Sequence, residues 1–139
     1  MSNTNIISTV YAENTGASYA TDLHAANHIA IADEPTNVGG KDIGPAPGDY
    51  LCMSLASCKA ITLRMYVQRK KWNINNIKVT VSLERLETEG TAKHIFHAEI
   101  SVDETTPAEQ KERLVYIAKA CPISKLLSKQ NEVVTRLAE

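Results

Sequence analysis

The sequence predicts an α+β fold in which antiparallel sheets pack around one long helix. Three observations lead there. "NIKVTVSLER" and "HIFHAEISV" alternate apolar and polar residues with period two, the mark of strands with one buried face. "PGDYLCMSLASCKAITLRMYVQRKK" is apolar on nearly every side at helical spacing, so it is a helix expected to be buried almost all round. "TPAEQKERLVYIAKAC" carries helix-start chemistry ahead of an amphipathic stripe.

In chain order, "NIISTVYA" and "HIAIADE" are candidate strands, with "SYATDLHA" as a third between them. Ile29 and Ile31 share a face, as alternation requires. "DEPTNVGGKDIGPAPGD" then gathers four glycines and three prolines, a loop of fixed shape that delivers the chain to a helix. The helix begins near Pro47, where the missing N–H costs nothing, with Asp49 in its positive first turn. It ends near Lys71, where "QRKK" sets cations at the negative end. In the first alternating strand Ile77, Val79, Val81 and Leu83 face one way. In the second, Phe96, Ala98, Ile100 and Val102 do, and "ETEGTA" with Gly90 joins the two as a hairpin. Thr106 and Glu109 have the spacing of a capping box, with Pro107 at the first helical position. Leu114, Ile117, Ala118 and Cys121 form a stripe, and Pro122 bends or ends the helix at Cys121. A short helix, "PISKLLSK", and a last strand, "EVVTRLA", complete a single domain over residues 1–139.

Composition excludes several function classes. The net charge of -1 leaves no basic surplus for gripping phosphates, so no nucleic-acid partner is expected. "MSNTNIISTV" has neither the basic start nor the apolar core of a leader. The most apolar stretch, Tyr50 to Val67, is broken by Ser54, Ser57, Lys59, Thr62 and Arg64, so no membrane span is expected and the cytoplasm is the expected compartment. Three widely separated cysteines make no disulfide framework and no Cys-x-x-Cys zinc motif. His94 and His97 point to opposite faces of one strand, so no metal or other cofactor is expected.

The cysteines are the residues with chemistry to offer. Cys58 sits in the middle of the long helix, where a free thiol serves either as a small core hydrophobe or as a reactive group that something else can reach. Cys121 either fills the stripe beneath Leu114 and Ile117 or caps the helix that opens at Pro122, where partial positive charge would lower its pKa. The two could form a reversible redox couple if the fold brings them together. Cys52, about 120° around the helix from Cys58, reads as core. "CPIS" is no thioredoxin motif, since a helix rather than a strand precedes it.

The residues from His28 to Leu127, with "DEPTNVGG", Gly44-Pro45-Ala46-Pro47, Ser57-Cys58, "TLRMY" and Cys121-Pro122 in that order, resemble the osmotically inducible protein C and organic hydroperoxide resistance (OsmC/Ohr) family. The resemblance implies the OsmC-like fold, an intertwined homodimer with long buried helices between sheets. It also implies thiol-dependent reduction of small organic hydroperoxides, with Cys58 as the peroxidatic cysteine, Cys121 as the resolving one, and an external dithiol as reductant. Peroxidase members of the family also use an arginine from the N-terminal strands and an acidic partner after the second proline of the turn. This chain has no arginine before Arg64, and Gly48 occupies the acidic position, with Asp49 one residue later. Asp49 is therefore the candidate acidic partner, half a turn from the Cys58 face, and His28 the candidate substitute for the arginine. His24 is a second histidine on that segment. The alternative function, favoured by the missing arginine, is a non-catalytic protein that binds a small apolar ligand in an interfacial pocket.

Overall fold

The computed structural model describes residues 4–139; Met1–Asn3, part of the stretch read for a leader, lie outside them. The chain forms two compact units, one ending at Leu51 and the other beginning at Cys52.

The first unit is built on an antiparallel sheet of β1 (Tyr11–Glu13), β2 (Thr21–Ala25) and β3 (His28–Ala32) in that order. The first strand is shorter than "NIISTVYA" predicts: residues 4–10 have no regular structure, and pairing starts only where Tyr11 meets His24. Those two rings stack, with centroids 4.4 Å apart. The glycine-rich loop is irregular as expected, apart from one 3₁₀ turn at Thr36–Val38. Asp33 holds it. The carboxylate accepts N–H bonds from Glu34 at 2.8 Å, Lys41 at 3.2 Å and Ile43 at 3.3 Å. The Glu34 bond above all keeps it ionised, holding its pKa below the ordinary carboxylate value although burial pulls the other way. The loop folds back so tightly that a Cβ at Gly40 would overlap the Glu34 carbonyl, which accounts for a glycine there.

Helix α1 runs over Pro47–Lys70. Its buried residues are Leu55, Lys59, Leu63, Tyr66 and Val67, a single stripe at helical spacing. The expected burial nearly all round is not reached within one chain: Leu51, Met53, Ile61 and Met65 are exposed. The apolar residues are there, but within one chain only one face of the helix meets other elements.

In the second unit, β4 (Ile77–Thr88) and β5 (Thr91–Val102) form the expected antiparallel hairpin. The loop is tighter than "ETEGTA" suggests. Pairing continues to Thr88 and Thr91, leaving Glu89 and Gly90 as a two-residue turn with both φ positive, 51° and 82°. That is the twist-matched geometry for a hairpin. Ile77, Val79, Ile100 and Val102 pack on a core of Leu63, Tyr66, Val67, Ile74, Leu114 and Ala118.

Helix α2 (Ala108–Ala118) starts one residue later than the capping-box spacing predicts. Pro107 is the cap, no side chain caps the helix, and the Thr106 hydroxyl is buried without a partner. Thr106 instead closes a turn, its N–H donating to the Asp103 carbonyl at 3.0 Å, so its side chain lies outside capping position. Helix α3 (Pro122–Leu127) follows. The expected last strand is absent: residues 130–139 have no regular structure, and Val133, Val134 and Leu137 find no ladder partner or apolar cover within the chain. Among the described residues, no helix is long and apolar enough to cross a membrane.

Leu114 has no exposed surface at the centre of this core, so Leu114→Ala should cost about 2–5 kcal/mol through lost burial and a residual cavity. Urea unfolding monitored by circular dichroism would measure it.

Candidate thiol site

The site is built where α1 meets the junction of α2 and α3. Leu63 is fixed in the core, and Cys58 lies five residues before it, half-buried, on a neighbouring face of the same helix. Helix α2 stops at Ala118, and Lys119 and Ala120 close the turn with N–H bonds to Tyr116 and Ile117. Cys121 is extended, with φ -61° and ψ 133°, and Pro122 opens α3. Cys121 thus caps α3, its sulfur accepting the Ser124 N–H at 3.3 Å. Its side chain has no exposed surface.

The two thiols meet. The Cys121 and Cys58 side chains are close enough to influence each other. A cavity of about 420 Å³ opens beside Cys58, lined by Ser54, Ile61 and Met65 from α1 and by Pro122 and Ile123 from α3. Its walls are mostly apolar, and its size falls in the range that holds small organic molecules. Three larger hollows, about 520 Å³ beside Tyr19 and Tyr50, about 680 Å³ beside Tyr66 and Arg113 and about 480 Å³ beside Arg136 and Glu139, contain no cysteine. Of these four, the thiol cavity is the one that a cysteine lines. Cys52 is half-buried.

The cap position of Cys121 lowers its thiol pKa through the Ser124 N–H, as that reading expects, yet the pKa as a whole is raised. Burial is the largest cause and the neighbouring Cys58 side chain the next, and together they outweigh the lowering by the Ser124 N–H and the charge of Lys59.

The other candidates lie in the first unit. Asp49 accepts the Ala46 N–H at 3.0 Å, closing the first turn of α1. His28 is an exposed residue at the start of β3, paired with Ala25. His24 lies under the Tyr11 ring. Arginines do other work: Arg64 donates to the carbonyls of Ile74 and Asn75 at 2.7 and 2.6 Å, Arg85 pairs with Glu87, and Arg113 donates to the Tyr66 hydroxyl. Among the described residues, no group of three His, Cys, Asp or Glu side chains could hold a metal.

Sequence reasoning sets Lys59 aside, because it is adjacent to Cys58 but about 100° away around the helix. Lys59 is buried, 6% exposed, and its amine donates to the Ala118 carbonyl at 2.8 Å. The signal was a lysine in the apolar run immediately after Cys58.

The sequence profile of OsmC-like proteins matches residues 39–136, more than two thirds of the chain. No curated protein matches. Among solved structures, the chain is similar to an OsmC-like protein from Mycoplasma pneumoniae, with TM-score 0.68 and 21% identity over 90% of this chain and 89% of that one. It is similar to an organic hydroperoxide resistance protein OsmC from Legionella pneumophila, with TM-score 0.64 and 16% identity over 90% and 91%. The organic hydroperoxide resistance protein OhrB of Bacillus subtilis gives TM-score 0.60 and 20% identity over 87% and 90%.

The raised Cys121 pKa has a stability consequence. Below the ordinary thiol value of 9.0 both folded and unfolded chains hold this proton, and Cys121 adds no pH dependence. Above it the unfolded chain ionises first, so stability is lost as pH rises toward the higher folded value. The melting temperature should fall more steeply above about pH 9 in the reduced wild type than in Cys121→Ser.

Proposed function

The chain belongs to the OsmC-like protein family, and from that premise we propose that it reduces organic hydroperoxides through a two-cysteine cycle. The observation that carries this reading is the approach of Cys121 to Cys58 at the wall of an apolar cavity. Two of the similar structures bear organic hydroperoxide resistance in their names, which supports the same chemistry here.

Cys58 is the peroxidatic residue and Cys121 the resolving one. The Cys58 thiolate attacks the distal oxygen of R–O–O–H, the O–O bond breaks, and the alkoxide leaves as the alcohol with a proton from solvent. Cys58 becomes a sulfenic acid. The Cys121 sulfur then attacks the Cys58 sulfur, the S–O bond breaks, and the departing hydroxide takes the Cys121 proton to form water. An external dithiol restores both thiols by exchange. The asymmetry of the pair suits these roles: half-buried Cys58 borders the cavity, whereas buried Cys121, its pKa raised, waits behind it. We assign the protein to the cytoplasm, where such a dithiol is available.

Without the family's N-terminal arginine, the thiolate and the departing oxygen lack one charge-stabilising donor. His28 is the proposed substitute and Asp49 the proposed acidic partner. The second reading, a non-catalytic pocket for a small apolar ligand, draws on the same missing arginine.

Stopped-flow oxidation with cumene hydroperoxide tests the cycle. Cys58→Ser should abolish it, and Cys121→Ser should stop at a Cys58 sulfenic acid that dimedone traps. The wild type should react roughly 10²–10³ times more slowly than an arginine-bearing relative. His28→Ala should slow it further, and a rate matching that relative would mean another cation has taken the role. No reaction of any kind would leave the ligand-binding reading standing.

We also propose a homodimer. On α1, Ile61 and Met65 are 55% and 65% exposed, Leu51 and Met53 44% and 42%, an apolar surface that a second chain would cover. Sedimentation at micromolar concentration should give the dimer mass; a monomer would refute this.

A further inference from the structure

Lys59 is a buried amine in an apolar stripe, and packing does not explain it. Burying an ammonium is costly unless a partner compensates, and among the described residues no carboxylate pairs with it. Its partner is a main-chain carbonyl, Ala118. In a continuing helix that carbonyl would receive the N–H of residue 122, but residue 122 is proline and has none. The Lys59 amine occupies the gap that Pro122 leaves. It does so at the negative end of α2, where a cation is electrostatically favoured.

Three residues beyond Ala118 comes Cys121, and one residue before Lys59 comes Cys58. The amine therefore ties together the two segments that carry the thiols. We propose that Lys59 is a positioning residue for the thiol pair: its ammonium locks the end of α2 against α1 and sets a fixed positive charge beside the Cys121 sulfur.

The proposal rests on the two-cysteine cycle for the reaction it serves. Resolution requires the Cys121 sulfur to give up its proton as it attacks the Cys58 sulfenic acid, with hydroxide leaving as water. The titratable and charged groups facing Cys121 are Cys58 and Lys59, both on α1, and the Ser124 N–H reaches it from α3. Burial and Cys58 oppose ionisation of Cys121, whereas Lys59 and the Ser124 N–H favour it. Removing Lys59 would leave one of these two aids.

Lys59→Met removes both charge and donor at similar length, and Lys59→Gln keeps an N–H donor without the charge. With cysteine labelled at ¹³Cβ, NMR would follow the Cys121 titration in the reduced wild type and both variants. The midpoint should move to higher pH in both. In single-turnover oxidation by cumene hydroperoxide at neutral pH, disulfide formation should slow about twofold or more in both, since the Lys59 charge favours ionisation of Cys121 but is the smallest of the influences on it. The Cys58 sulfenic acid should accumulate, and the pH profile of the step should move upward. An unchanged Cys121 midpoint in both variants would overturn the proposal. So would failure of both to fold by circular dichroism, because the lysine would then be a support of the fold alone. If hydroperoxide leaves wild-type Cys58 unoxidised, the peroxidase reading falls, and the NMR titration, which needs no peroxide, still decides the role of Lys59.

Discussion

Leu63 of α1 and Leu114 of α2 are both wholly excluded from solvent in one core. Their burial sets the rotation of α1, because a helix that buries Leu55, Leu63 and Val67 cannot turn without exposing them. Once that rotation is set, Cys58 and Lys59 have no freedom either. The lysine, four residues from both Leu55 and Leu63, falls on the buried stripe, and Cys58 falls about 100° to one side of it. The apolar contact thereby decides which thiol borders the cavity and where the buried Lys59 amine lies.

Proline supplies the second constraint. Pro122 cannot continue α2, so the chain turns at Lys119 and Ala120 and restarts as α3. Cys121 is left at the corner, buried, in a cap position that gives it one N–H bond. The same proline deprives Ala118 of its hydrogen-bond donor, which Lys59 replaces. A single residue thus produces both the bend that holds the thiol and the carbonyl that holds the lysine.

Charged side chains elsewhere are used in the same way, as partners for backbone that has left regular structure. The Asp33 carboxylate gathers three N–H groups of the glycine-rich loop. Arg64 takes the carbonyls of Ile74 and Asn75, and Asp103 accepts the N–H groups of Asn75 and Asn76 at 2.7 and 3.2 Å. Arg64, part of the "TLRMY" run by which the family resemblance is recognised, is thereby committed to the segment after α1. An irregular segment has to satisfy its backbone somewhere, and these ionised groups form its strongest hydrogen bonds.

The sequence by itself determined the elements whose patterns are local. Alternation marked β4 and β5, proline and glycine marked the loop ahead of α1 and the break at Pro122, and motif order marked the family. Local pattern failed where pairing or packing between distant segments decides. "EVVTRLA" alternates like a strand, yet a strand needs a neighbouring edge, and within the chain residues 130–139 have none. Thr106 and Glu109 have capping-box spacing, but the turn that begins at Asp103 leaves the Thr106 hydroxyl out of reach of the helix. Only tertiary structure decided that Cys58 and Cys121 touch, since 63 positions of chain separate them and no spacing rule spans that distance. It decided the direction of the Cys121 pKa too. The cap was legible in the Cys-Pro pair, but burial, the larger effect, depends on what α1 lays over the sulfur. Lys59 was visible in the sequence as a charge in an apolar run, and its partner was not, because the carbonyl it holds is an atom every residue carries.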